Sequence, residues 1–237
     1  MNIYSYVILL LLSLSYFSLS AHIYTHWINS TKIRYWIVYV FILSFITVLG
    51  FSILGVHEVL GDLLSYALIV VFTGVLSGIL IGILDKKILH YILRKNYLTK
   101  TNSKIGSQTK GITANKTKNL SASILDYELN VTSAVLVGIL EELIFRGILV
   151  HLCLIIPFKQ LIPFALAFNI IWFSLSHIEF GWPNVISKTP LGIITLLGTL
   201  ITGSVLFAVI VHVVFNLRVL WEINKLRATL QHVKKVS

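Results

Sequence analysis

VTSAVLVGILEELIFRGILVHLCLII, residues 131–156, is the stretch of sequence that decides how this chain folds. It is long and apolar enough to cross a membrane as one helix, which takes about 20 residues. Near its middle, however, it contains Glu141, Glu142 and Arg146. Ionisable groups at bilayer depth are costly unless they are paired or hydrated, and they commonly mark functional sites. The stretch therefore predicts a membrane helix that carries a buried charge cluster.

The composition of the whole chain is that of a membrane protein. Of its 237 residues, 57% are hydrophobic and 12% are charged, whereas soluble domains carry about 25% charged residues. Apolar runs of about 20 residues recur along most of the chain. We therefore predict an all-α fold, a polytopic transmembrane helix bundle of about seven spans. We expect the first span to be retained rather than cleaved as a signal peptide, and place the spans at residues 3–21, 35–56, 63–84, 131–156, 161–177, 190–201 and 204–221.

The net charge of +10 comes from basic residues concentrated between the spans. Nine of the 19 Lys and Arg residues lie between Lys86 and Lys118, where no acidic residue occurs. Basic loops beside membrane spans are typically cytoplasmic. This pattern predicts a cell-membrane protein with its N-terminus outside and its C-terminus in the cytoplasm. We expect contact with anionic lipids and no nucleic-acid binding, because no stacking or recognition element accompanies the basic residues.

The chain divides into three predicted parts. Residues 1–95 form a three-span scaffold without an ionisable residue at membrane depth, and residues 96–123 form a basic, flexible cytoplasmic linker. Residues 124–237 form the catalytic membrane core with a basic C-terminal tail. Within this core the apolar run 190–201 is too short to cross a bilayer alone. We expect it to form a hairpin with the last span.

The two neighbouring glutamates have different predicted environments. Residues four apart share a helix face, so Glu142 can pair with Arg146. Glu141 is rotated by about 100° and lacks that partner. One carboxylate is then neutralised, while the other is free to act as a general base. Two ordinary ion pairs between helices are the alternative interpretation.

Two later spans contribute further polar side chains. His177 ends the fifth span, and His212 and Asn216 share one face of the last span because they are four residues apart. These apolar spans offer few other polar partners, so we expect the side chains to converge. Glu141 and His177 could then activate water, while His212 and Asn216 stabilise an oxyanion. This arrangement would hydrolyse an amide without a covalent intermediate.

A zinc site is the alternative use of the same side chains. Two histidines and one carboxylate form a known catalytic zinc ligand set. The sequence contains no HExxH pair, however, and the ligands would come from three different helices. We therefore expect a metal-independent glutamate mechanism with no cofactor.

The polar residues fall into three motifs of a known family. EExxxR occurs at residues 141–146, FxxxH at 173–177 and HxxxN at 212–216, in this order and on successive predicted spans. On these motifs the chain resembles the CPBP family, which groups type II CAAX prenyl endopeptidases with bacterial Abi-type membrane proteins. The resemblance covers about residues 131–216. It implies a CAAX-protease-like core and an intramembrane, glutamate-dependent endopeptidase.

Carried over to this sequence, the resemblance implies a role for each motif residue. Glu141 would be the general base assisted by His177, and His212 and Asn216 would form the oxyanion site. The implied supporting residues, which orient the first motif or pack beside the cavity, are Glu142, Arg146 and Phe173.

The substrate stays open at this point. We expect a membrane-associated peptide or protein as the partner. Prenylation, the oligomeric state and the process served (peptide maturation, bacteriocin immunity or signalling) are not fixed by the motifs. Two other functions compete with a peptidase. One is a non-catalytic immunity or regulatory scaffold of the same family, and the other is a transporter that uses buried carboxylates.

Overall fold

The computed structural model describes residues 9, 10, 13, 35–61, 67–102 and 130–236. Across these residues there is no β-strand, and the all-α prediction is confirmed. The helices are α1 (Tyr35–Leu54), α2 (Val56–Leu60), α3 (Ala67–Asn102), α4 (Val131–Glu142), a π-helical segment (Leu143–Leu149), α5 (Val150–Leu154), α6 (Ile162–Leu175), α7 (Trp182–Thr202) and α8 (Val205–Val236), with 3-10 turns at Lys159–Leu161 and Ile178–Phe180.

Among the described residues, four helices are long and apolar enough to cross a membrane, as a polytopic bundle requires. By length and composition these spans are Ile37–Leu54, Ala67–Ile92, Trp182–Thr202 and Val205–Thr229. The predicted span 131–156 is occupied by α4, the π-helical segment and α5, which follow one another directly. The predicted span 3–21 lies outside the described residues except for Leu9, Leu10 and Ser13.

Two predicted spans have different lengths in the structure. The run 190–201 was predicted to be too short to cross, and this is wrong, because α7 has 21 residues and begins at Trp182. Pro183 fits its first turn, where no backbone donor is needed. In contrast, α6 has only 14 residues, fewer than the roughly 20 that a span needs.

α8 is the centre of the bundle and packs against α3, α4 and α7. Glycines on α3 allow a close approach. A Cβ at Gly74 would lie 3.0 Å from the Ile210 side chain, and one at Gly78 would lie 2.7 Å from the Val211 carbonyl oxygen and 2.8 Å from Val214. Because the paired positions advance together on both helices, α3 and α8 run parallel.

α4 runs antiparallel to α8 and also packs against α1. It begins with a capping box, in which the Ser133 backbone N–H donates to Asn130 Oδ1 over 2.7 Å. Further along, Asn216 Nδ2 donates to the Ala134 carbonyl over 3.0 Å. The glutamates at the end of α4 are therefore positioned between α1 and α8.

The front helices differ from the predicted scaffold in one respect. They were expected to carry no ionisable residue at membrane depth, with the third span ending at residue 84, whereas the apolar span of α3 continues to Ile92. Asp85 lies within the apolar span of α3, is 4% exposed, and pairs with Lys188 over 2.8 Å. α3 also continues to Asn102, so the predicted linker 96–123 begins as helix. Its remainder, 103–123, lies outside the described residues.

Candidate active site

The first motif forms a buried ion pair. Arg146 Nε lies 3.2 Å from Glu142 Oε2, and neither side chain is exposed. Arg146 Nη2 also donates to the Gly192 carbonyl over 2.9 Å. Its guanidinium carbon lies 4.2 Å from the centre of the Phe173 ring. The charge of Glu142 is thus compensated by Arg146, whose guanidinium also contacts α6 and α7.

A π-helical segment, Leu143–Leu149, carries the arginine of this motif. Such segments have i→i+5 hydrogen bonds, are rare, and are frequent at functional sites. Asn169 on α6 donates its amide to the Phe145 carbonyl over 2.9 Å and so stabilises the wide turn. Gly147 gives α2 room, since a Cβ there would lie 2.5 Å from Val59 Cγ1.

His212 connects the two carboxylates. Its Nδ1 lies 2.6 Å from Glu142 Oε1, and its Nε2 lies 3.5 Å from Glu141 Oε2. The imidazole is buried, so its orientation is fixed by these contacts. A histidine held at one nitrogen by a carboxylate can work with the other nitrogen, as in hydrolase triads.

His177 packs against Phe173, as His212 does. The centre of its ring is 5.3 Å from the Phe173 ring, which is 5.7 Å from the His212 ring. His177 Nδ1 lies 3.1 Å from the Phe173 carbonyl oxygen and 3.2 Å from Ser176 Oγ. Because Nδ1 is engaged locally, Nε2 is the nitrogen available for proton exchange. Within the described residues His177 makes no ion pair with Glu141.

Asn216 lies one helical turn beyond His212 and faces α4. One N–H of its amide is used by the Ala134 carbonyl, and an amide has a second N–H to donate. Gly138 leaves space here, because a Cβ would lie 3.1 Å from Asn216 Nδ2. The structure thus brings His212 into contact with the glutamates, whereas Asn216 lies one turn further along α8 against Ala134 and Gly138.

Tyr39 is a site residue that the sequence prediction missed. Its hydroxyl donates a hydrogen bond to Glu141 Oε1. Glu141 is 3% exposed. One of its oxygens accepts the hydrogen bond from Tyr39 on α1, and the other faces His212 on α8 at 3.5 Å. α1 contains two tyrosines, Tyr35 and Tyr39, and neither gives a local sequence signal of such a role.

Lys188, near the start of α7, is a second buried polar residue near the site that the sequence prediction did not include. It pairs with Asp85, and its Nζ lies 4.4 Å from the centre of the Phe215 ring. The Phe215 ring in turn lies 6.3 Å from the His212 ring. The sequence signal that could have indicated Lys188 is the lysine itself within an apolar run. It lies four residues before Gly192 and therefore shares its helix face.

A cavity of about 140 Å³ lies beside the arginine, between α2, the π-helical segment, α5 and the turn joining α7 to α8. It has room for several water molecules. Its polar lining comes from Glu58, Arg146, His151 and Thr199.

The zinc alternative requires His, Cys, Asp or Glu side chains that converge on one point. Among the described residues, no group of three or more such side chains is arranged to hold a metal ion. Both nitrogens of His212 face carboxylates.

Residues 128–218 match the family model described as "Type II CAAX prenyl endopeptidase Rce1-like". No curated protein and no solved structure matches the chain. The family match includes all three motifs and confirms the resemblance. At the family level, the match supports a CAAX-type intramembrane protease. Residues 1–127, which include Tyr39 and Asp85, lie outside the match.

Proposed function

We propose that this chain is an intramembrane endopeptidase that hydrolyses a peptide bond of a membrane-associated peptide or protein with water activated by Glu141. The observation that carries the proposal is the contact of His212 with both Glu141 and Glu142. It assembles a carboxylate that takes no part in the Glu142–Arg146 ion pair, an oriented imidazole and a paired carboxylate in one buried site.

In the proposed reaction, Glu141 accepts a proton from water, and the water oxygen attacks the carbonyl carbon of the scissile bond. The negative charge then develops on the carbonyl oxygen. When the tetrahedral intermediate collapses, the C–N bond breaks and the departing amine takes the proton from Glu141. His177, through Nε2, assists these proton transfers. No covalent enzyme intermediate and no metal ion take part.

His212 and Asn216 stabilise the oxyanion in this proposal. Glu142 accepts the Nδ1 proton of His212 and orients the ring, so that a proton on Nε2 can be donated to the oxyanion. Asn216 adds the amide N–H that Ala134 does not use. Donors oriented in this way before the reaction typically contribute about 10²-fold or more to the rate.

The site is closed in the conformation described, because Glu141 is 3% exposed. A peptide therefore needs a movement of neighbouring helices before it can bind, as in many enzymes with buried sites. The cavity beside Arg146 supports access of water from the end of the bundle that holds α2. With a cytoplasmic C-terminus, this end would face outward.

The decisive experiment compares peptides released in membranes that contain the wild type, Glu141→Gln or Glu222→Gln. Glu141→Gln should abolish a set of fragments without changing the amount of inserted protein. Glu222→Gln is the matched control, since Glu222 pairs with the exposed Lys86 away from the site. Treating the wild type with a chelator tests the zinc alternative, because the proposed reaction continues without metal.

Other outcomes lead to other functions. An unchanged fragment pattern for Glu141→Gln would contradict the peptidase. The non-catalytic immunity or regulatory scaffold would then be favoured, provided that Glu141→Gln and His177→Ala also leave the cellular phenotype unchanged. Loss of the fragments on chelation, with recovery on adding zinc, would contradict the metal-independent mechanism.

A further inference from the structure

The two oxygens of Glu141 face different helices. Oε1 accepts the hydroxyl hydrogen of Tyr39 on α1, and Oε2 faces His212 Nε2 on α8 at 3.5 Å. A neutral donor on one side and an imidazole on the other fix the plane of the carboxylate. Of these two partners, only His212 lies in the part of the chain that matches the family model.

We propose that Tyr39 is a positioning residue for Glu141: its hydroxyl holds one carboxylate oxygen so that the other remains directed at the reacting water. The proposal rests on the proposed function of Glu141 as general base. It extends the working site to α1, which lies outside the family match.

The need for such a donor follows from the neighbouring arginine. Arg146 Nη1 is buried and has no hydrogen-bond acceptor, whereas Nε faces Glu142 Oε2 at 3.2 Å. Arg146 lies five residues after Glu141, and in a π-helical turn residues five apart approach the same face. A freely rotating Glu141 would therefore have a competing cationic donor close by.

Tyr39 counters this competition because a hydrogen bond to a charged acceptor is stronger than one between neutral groups. It satisfies Oε1 without supplying a positive charge. Glu141 thus keeps an oxygen that can accept a proton, whereas a second pairing with Arg146 would neutralise it. Tyr39 itself touches neither water nor substrate in this account and acts only through Glu141.

The test measures initial rates of the Glu141-dependent fragments in membranes over a range of pH. Four proteins are compared: the wild type, Tyr39→Phe, Glu141→Gln and Tyr91→Phe. Tyr91→Phe is the matched control, because Tyr91 is exposed on α3. Tyr39→Phe should lower the rate by about 10- to 10²-fold, the effect of a misplaced reacting group, and displace the pH–rate profile. Tyr91→Phe should change neither.

The outcomes separate this inference from the proposed function. Loss of activity in Glu141→Gln with a normal rate and pH profile in Tyr39→Phe overturns the positioning role alone. Full activity in Glu141→Gln overturns both. A lower Tyr39→Phe rate with an unchanged pH profile shows a structural role and also overturns the inference.

If Tyr39→Phe folds poorly, which its melting temperature in detergent would show, a second variant tests the inference. Incorporation of a fluorinated tyrosine at position 39 keeps the ring and the hydroxyl but makes the hydroxyl a more acidic donor. A displaced pH–rate profile is expected for this protein. An unchanged profile overturns the inference.

Discussion

Two buried charge clusters in this molecule are built in different ways. Asp85 and Lys188 form a balanced pair, with one acid and one base in contact at 2.8 Å. The glutamate cluster, which consists of Glu141, Glu142, Arg146 and His212, sets two carboxylates against one guanidinium. In this cluster Glu142 Oε2 and Arg146 Nε face only each other at 3.2 Å, and Arg146 Nη1 has no hydrogen-bond partner.

The balanced pair is suited to stabilising the fold, whereas the glutamate cluster is suited to chemistry. A balanced pair can hold helices together, but a proton moved from it leaves an uncompensated charge, which is costly in a buried setting. The glutamate cluster instead has two carboxylates for one guanidinium, and Arg146 Nη1 in it lacks a hydrogen-bond acceptor. An incoming water, which can both donate and accept, can therefore gain hydrogen bonds there that the folded protein does not provide.

The largest stability effect is expected for Glu142→Gln. This change leaves Arg146 buried without its counterion and removes the carboxylate that orients His212. Breaking a buried pair in this way costs about 3–5 kcal/mol of the free energy of unfolding. Denaturant unfolding in mixed micelles measures the loss, and Glu141→Gln serves as the neighbouring control with a much smaller one. Equal losses for the two variants would remove the distinction between the glutamates.

Asp85→Asn should have the next largest effect. It leaves Lys188 unpaired, and about 3 kcal/mol, the low end of the range for a broken buried pair, is expected because Lys188 retains slight exposure. The double variant Asp85→Asn with Lys188→Met should recover most of this loss, since no uncompensated charge remains. Fragment release per folded molecule should stay near the wild-type rate. A large fall in that rate would show that this pair also takes part in the chemistry.

Gly192→Ala should have the smallest effect on stability. The added Cβ would lie 3.0 Å from Phe173 Cδ1 and 3.5 Å from Arg146 Nη2. Overpacking of this kind costs about 1–3 kcal/mol and disturbs the position of Arg146. Gly74→Ala on α3 is the control, because its Cβ would be equally close to Ile210. Both variants should lose stability, but only Gly192→Ala should also lower fragment release; equal activity would contradict the expectation.

The parts of the fold and site that depend on local spacing were predictable from the sequence. The i, i+4 relation gave the contact of Glu142 with Arg146 and placed His212 and Asn216 on the face of α8 that meets α4. The apolar runs predicted the all-α membrane bundle, and the motif order predicted the family resemblance. The catalytic roles of these residues remain predictions.

The parts that depend on contacts between distant helices were not predictable. The Tyr39 hydroxyl reaches Glu141 across 102 positions, and Lys188 reaches Asp85 across 103. No spacing rule connects residues so far apart. The start of α7 was missed for a related reason, because the buried Lys188 lowers the local hydropathy although its charge is compensated elsewhere.

The π-helical segment Leu143–Leu149 has a consequence for the length of the chain. A wide turn accommodates about one more residue than an α-helical turn, so α4 and α5 are out of phase by about 100°. α4 faces α8, whereas α5 faces α6. Removing one residue between 143 and 149 would restore a uniform α-helix, keep the glutamates towards α8 and rotate α5 away from α6. A related chain one residue shorter here would need a different neighbour for that end of the helix.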